Sequence, residues 1–280
     1  MSIEKKSIEV GSLEWFYLQE KPEKPADYPP VLFLHGIPSL SHSWSAIIPE
    51  LASQGFWAIA PDWIGHGRSA KPDKRDFAYT PEAFIEALDA FLEALQIERF
   101  SLVVQGFLGS VGLQYAFAHP DRIERLAILN TPLSTNAKLP FKMQQMSWPL
   151  LGDMMTQDPL LVDRLLEGGS RFVVPDKDLN VYRGPYLATS DSGRSLLMTL
   201  KNLQMPSAMA QIESGLSGWE QPTQILWGVL DPWLPLEDAK AAAKSMANVE
   251  FVELPEAAHY PQEHWSGEIS ESLLTFLRRR

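Results

Sequence analysis

Apolar and polar residues alternate from Ile3 to Val10 and again from Leu13 to Leu18, on either side of Gly11-Ser12. Period two around a short break predicts an antiparallel hairpin with one buried face. Lys21 to Pro30, with four prolines, is a surface connection. Beyond it the pattern changes to short apolar-rich runs: Val31 to Leu34, Phe56 to Ala60, a run opening at Phe100, Leu126 to Leu129, Gln224 to Trp227 and then Val249 to Leu254. Unbroken runs of this length suit strands covered on both faces.

Helical periodicity separates these runs. One helix is expected over about Trp44 to Ser53. Another starts at Thr80-Pro81-Glu82, with an N-cap hydroxyl and a proline at the first helical position, and continues to about Leu95. A third follows Gly106, and the last, Ser266 to Leu277, ends in three arginines that suit the negative end of a helix dipole. Strands alternating with helices imply right-handed crossovers and a mostly parallel central sheet flanked by helices, an α/β fold. From about Pro132 to Gly215 the alternation stops, and the sequence reads as helices and loops. The expected division is a core domain of residues 1–131 and 216–280 with a helical cap of residues 132–215, inserted at the carboxyl edge of the sheet where open α/β folds bind ligands.

Composition narrows the function classes. In 280 residues, 45% hydrophobic content allows a substantial core, and 24 basic against 35 acidic residues give a formal charge of −11. That charge works against nucleic acid and anionic membrane surfaces. With no cysteine, disulfides and thiolate metal sites are excluded. No His/Asp/Glu cluster has metal-ligand spacing, so neither a metal nor a cofactor is expected. MSIEKKSIEV lacks the apolar run of a secretory signal, and no stretch has the length of a membrane span. A cytoplasmic protein is the expectation.

The motifs His35-Gly36-Ile37-Pro38, Ala60-Pro61-Asp62-Trp63-Ile64-Gly65-His66-Gly67-Arg68-Ser69, Trp227-Gly228-Val229-Leu230-Asp231 and Ala257-Ala258-His259-Tyr260-Pro261-Gln262-Glu263 together resemble the α/β-hydrolase superfamily, nearest its haloalkane dehalogenase and epoxide hydrolase branch. Tyr182-Arg183-Gly184-Pro185-Tyr186 looks like a segment of dehalogenase caps. Val103-Val104-Gln105-Gly106-Phe107 is similar to a stretch in α/β-hydrolase-like proteins of photosynthetic lineages. The resemblance makes His259 the base and Asp231, 28 positions earlier (259 minus 231), the acid that orients it. Asn130 stands where one dehalogenase subgroup keeps its acid, which leaves Asp231 as the candidate. The backbone N–H groups of Ile37 and Phe107 would form the oxyanion hole. Tyr182 and Tyr186 are candidate substrate-binding residues, with packing as the alternative role.

The elbow departs from this pattern. In the superfamily the strand-turn-helix carries the nucleophile at its sharpest point, and the flanking register, Leu95 to Arg99 before it and His119-Pro120 after it, puts Gly106 there. Val104 and Leu108 replace the two flanking glycines. Ser110 is no substitute. It lies nine positions before His119 (119 minus 110), four fewer than Gly106, and is read as an N-terminal helix residue. Haloalkane dehalogenation is not expected, because the Asp nucleophile, the Trp after it and the Asn after His-Gly are replaced by Gly106, Phe107 and Ile37. Losing a covalent nucleophile costs on the order of 10⁶ in turnover. Two readings follow. One is an enzyme in which Asp231-His259 deprotonates a small apolar substrate or a water, with Gly106 making room for it. The other is an inactive binder of a small ligand or a protein partner.

Overall fold

The computed structural model describes residues 2–148 and 150–279. Strands β1 (Glu4–Val10) and β2 (Leu13–Glu20) form the hairpin, joined through Gly11 at φ +62°. There follow β3 (Val31–Leu34), α1 (Ile47–Ser53), β4 (Ala58–Pro61), α2 (Pro81–Ala94), β5 (Phe100–Gln105), α3 (Gly106–Ala118) and β6 (Ile123–Leu129). Six helices come next: α4 (Phe141–Met146), α5 (Leu151–Met155), α6 (Leu161–Ser170), α7 (Asp176–Ala188), α8 (Ser190–Asn202) and α9 (Met205–Ser217). Then β7 (Thr223–Gly228), α10 (Leu236–Lys244), β8 (Val249–Leu254), α11 (Pro261–His264) and α12 (Ser266–Leu277) complete the described chain.

The eight strands form one sheet in the order β1-β2-β4-β3-β5-β6-β7-β8. From β4 to β8 all pairings are parallel, and β2 joins β4 antiparallel. The chain winds outward from β3 to β4, then returns across β3 to add β5, β6, β7 and β8. This reversal leaves a crevice beyond the carboxyl ends of β3 and β5, the usual ligand position in such sheets.

Period-two alternation explains the layers. Leu32, Leu34, Leu102, Val104, Leu126 and Ile128 enter one core with α2, α3 and residues of α4, α8 and α9. Val31, Phe33, Val103, Ala127 and Leu129 enter the other with α1 and α12. The hairpin departs from the expected single buried face. β1 is an edge with mostly exposed side chains, whereas β2, covered on both sides, sends Trp15 and Tyr17 to one core and Phe16 and Leu18 to the other. Of the three terminal arginines, Arg280 lies outside the described residues, and the other two act differently from simple dipole partners: Arg278 donates to Gln54 and Arg279 pairs with Glu250. Helix α2 begins as its sequence requires, Thr80 Oγ1 accepting from the Ala83 amide before Pro81. No strand interrupts residues 130–222 among those described, and no described helix is long and apolar enough to cross a membrane.

Candidate functional site

Loops from five neighbouring strands converge at the crevice. Gly36 and Ile37 follow β3, Gly106 follows β5, Asn130 follows β6, Asp231 follows β7, and His259 follows β8. Residues far apart in sequence meet because their strands are adjacent in the sheet.

The acid and histidine are tightly held. Asp231 Oδ1 accepts from the amides of Trp233 (2.8 Å) and Leu234 (3.1 Å). Its Oδ2 accepts from Asn130 Nδ2 (2.8 Å) and lies 2.8 Å from His259 Nδ1. A carboxylate surrounded by donors is an acceptor only, so Nδ1 carries the imidazole proton and Nε2 presents its lone pair. Neither side chain has any solvent exposure. Nε2 has no hydrogen-bond partner among the described residues. The ring is fixed further by Phe107, stacked at 5.4 Å, by Trp233 at 4.6 Å, and by Tyr260, perpendicular to it at 4.8 Å.

Asn130 is the residue that sequence reasoning missed. Read there only as a lost acid position, it in fact clamps the loops after β6 and β7: Oδ1 accepts from the Gly228 amide (2.8 Å), and Nδ2 donates to Gly228 O (3.2 Å) as well as to Asp231. The signal in the sequence was its residue type, a short amide that tolerates the observed φ of +37°.

Opposite this array the elbow is bare. Gly106 takes φ +70°, where a side chain is strained, and a Cβ built there lies 3.4 Å from His259 Nε2 and 3.1 Å from Gly36 Cα. The two glycines let the turns after β3 and β5 touch. Gln105, just before the elbow, donates from Nε2 to His259 O (2.7 Å). Phe107 is at the second helical position, where the amide has no intrahelical acceptor; neither its N–H nor that of Ile37 has an acceptor among the described residues. The side chain of Val104, which fills a position usually held by glycine, is accommodated from the helix side. A Cβ on Gly112 would approach Val104 Cγ1 to 2.7 Å, and one on Gly109 would reach its Cβ at 3.4 Å. Small residues one turn later thus relieve the crowding, and Leu108 packs into the core.

The remaining candidates are placed as follows. Ser110 is buried in the first turns of α3 and donates to Phe107 O (2.6 Å), a bond within the helix. Tyr182 donates to Glu263 Oε1 (2.5 Å), so its hydroxyl faces α11; burial, then the Glu263 charge, raises that hydroxyl well above its ordinary range. Burial in turn lifts Glu263 to about 7, against the lowering effect of Tyr182. Tyr186 packs against the cluster of Leu40, Val162, Leu166, Tyr182 and Tyr260, and burial raises its hydroxyl too. Asp62 holds the Gly-rich turn through the amides of Ser41 (2.8 Å) and Arg68 (2.7 Å). His66 instead bonds Thr199 of α8 (3.2 Å), and burial holds it and His35 below their ordinary values. Helix α6 lies directly over the histidine: the His259 amide donates to Gly169 O (3.1 Å), and a Cβ on Gly169 would come within 2.5 Å of the Tyr260 ring and 2.6 Å of Trp233. No group of three or more potential metal ligands occurs among the described residues.

A family model described as "alpha/beta hydrolase fold" matches residues 29–264. The chain belongs to the α/β-hydrolase family. Among curated relatives of this α/β-hydrolase, a haloalkane dehalogenase from Mesorhizobium japonicum is 30% identical over 273 residues, covering 91% of this chain and 86% of the relative. One from Mycobacterium marinum is 29% identical with the same coverages. Solved structures agree in fold. Haloalkane dehalogenase DbeA from Bradyrhizobium elkani superposes with a TM-score of 0.88 at 24% identity, covering 99% of this chain and 98% of that one. DatA from Agrobacterium tumefaciens gives 0.85 at 24%, covering 99% and 96%.

Proposed function

We propose that this α/β-hydrolase acts without a covalent nucleophile, His259 and Asp231 serving as a general base toward a small apolar substrate or a water, with residues 132–215 as the cap over the site. The observation that carries this reading is the unpartnered lone pair of a buried, acid-tethered His259 aimed at the Gly106 turn. A buried histidine held in one tautomer by a carboxylate is suited to take a proton. The free amides of Ile37 and Phe107 are suited to hold the charge that develops. Haloalkane dehalogenation, the activity named for the relatives, is not carried over, since no carboxylate occupies position 106 to attack carbon.

A second reading, a non-catalytic binder, has its own support. His259 has no solvent exposure, and Phe141, Trp148, Leu150 and Met154, at and around α4 and α5, present apolar side chains to solvent. Such a group suits a protein partner. The test is turnover of an ester, lactone, epoxide and haloalkane panel by the wild type beside His259→Ala. A rate that vanishes in the variant establishes general-base catalysis. Equal rates in both proteins transfer the function to binding.

A further inference from the structure

The crevice is covered from above. His259 has no solvent exposure, and the last turn of α6 rests on its loop, with the His259 amide bonded to Gly169 O (3.1 Å) and Gly169 itself against Tyr260 and Trp233. Some part of this cover must move before a small molecule touches the imidazole.

The helices of the insertion are anchored unequally. Helices α8 and α9 send Leu196, Leu200, Met209 and Ile212 into the main core. Helix α6 gives that core Leu161 and Leu165, but the buried side chains of α7, Leu179 and Tyr182, join Val162 and Leu166 in a small separate cluster against Leu40 and Tyr260. Pro185 interrupts the hydrogen bonds of α7, and one extended residue, Thr189, links it to α8. Lifting α6 and α7 therefore exposes less apolar surface than lifting α8 and α9. Among the described residues, two polar side-chain contacts tie the pair to the core: Tyr182 donates to Glu263 Oε1 of α11 (2.5 Å), and Asp178 Oδ1 faces His42 Nε2 of the turn after β3 at 3.9 Å. Each contains a group that titrates under mild conditions.

On the reading of residues 132–215 as the cap over the site, which the catalytic and the binding alternatives share, we propose that α6 and α7 form a lid over His259. The Tyr182–Glu263 bond latches it while Glu263 holds its proton, and loss of that proton releases it. Ionisation leaves a carboxylate beneath the lid with the charge of Asp178 close by, and lifting α7 brings water to the one and carries away the other. Tyr182 keeps its proton throughout, since burial and the Glu263 charge hold its hydroxyl above its ordinary range.

Burial raises the latched Glu263 from 4.5 to about 7. As pH rises between those values the lifted form ionises first, so opening grows. The histidines act in the opposite sense. Burial holds His42, and His264 beside Phe172 of the lid, below their ordinary 6.5 against the pull of Asp178, while Lys5 and Asp62 act on His42 in opposing directions. Their protonation in acid therefore favours lifting too. Comparison with Glu263→Gln, which retains the histidines and cannot ionise, isolates the carboxyl.

The chain has no cysteine, so an introduced thiol reports alone. Val162→Cys puts one beneath the lid and Met209→Cys puts one in α9 as a reference for global unfolding, both at buried positions. Val173→Cys, at a position 84% exposed, corrects for thiol reactivity at each pH. Corrected labelling of Val162→Cys by a disulfide reagent, divided by its rate in the added presence of Glu263→Gln, should rise about tenfold from pH 6 to pH 8. Labelling of Met209→Cys should show no such rise. At pH 6, Tyr182→Phe should already speed labelling beneath the lid by about threefold or more, the worth of one hydrogen bond. A ratio that stays flat with pH, a rise shared equally by α9, or no effect of Tyr182→Phe overturns the proposal. Labelling needs no substrate, so its failure is separate from that of the turnover panel. A panel without a His259-dependent rate leaves a pH-released lid standing, and a lid indifferent to pH leaves the general base standing.

Discussion

The two sides of the crevice are built in opposite ways. On the side of β6, β7 and β8, Asn130, Asp231 and His259 interlock through hydrogen bonds that leave only Nε2 open. On the side of β3 and β5, two glycines meet, and the amides of Ile37 and Phe107 have no acceptor among the described residues. The contrast teaches that the missing side chain at position 106 and the retained acid–histidine pair are separable features of one site.

The strongest way to break this comparison is Asp231→Ala. It strands the amides of Trp233 and Leu234 and His259 Nδ1, leaves Asn130 Nδ2 with Gly228 O alone, and should destabilise the fold by about 3–5 kcal/mol, read from the urea midpoint; a loss below about 1 kcal/mol means the paired side is not structurally integral. Asn130→Ala should cost less, about 1–3 kcal/mol for the Gly228 and Asp231 bonds. It should also lower any His259-dependent rate, while Asn130→Gln fails to restore it because the longer amide cannot fit the same clamp.

Gly106→Ser sharpens the comparison by adding a hydroxyl to the bare side. Positive φ and the close Gly36 Cα should cost about 1–2 kcal/mol. A fluorophosphonate should then label residue 106, located by peptide mass spectrometry, and the label should disappear when His259→Ala is added. A folded but unlabelled variant shows that the two sides are out of register.

The subtlest readout, a slope in pH, concerns Glu263. Burial raises its folded pKa from the ordinary 4.5 to about 7. Below 4.5 both states are protonated; as pH rises toward 7 the unfolded chain ionises first, so this group's contribution to stability falls across that window and is constant above it. Glu263→Gln should flatten the pH dependence of the melting temperature between 4.5 and 7 by the equivalent of about 1–3 kcal/mol. An unchanged slope assigns the dependence to other groups.

Much of this was legible in the residues themselves. Short apolar runs marked β3, β5, β6 and β7 because strands covered on both faces have no polar positions to spare. Thr80-Pro81 marked the start of α2 because capping chemistry is local. The grouping of Ile37, Gly106, Asp231 and His259 came from the family resemblance carried by their motifs. What the sequence hid depends on three-dimensional adjacency. Gly109 and Gly112 accommodate Val104 across a strand–helix contact, and Asn130 reaches Gly228 98 positions away. Tyr182, placed by resemblance near a substrate, turns its hydroxyl to Glu263, a partner 81 positions distant that periodicity does not reveal.

The bond from the His259 amide to Gly169 O joins the histidine loop to α6 through backbone atoms alone. That single proton is therefore a built-in clock for the contact between the two. Deuterium reaches the His259 nitrogen when this bond breaks, so its exchange rate, followed with and without a bound small molecule, measures how often α6 and the histidine loop separate.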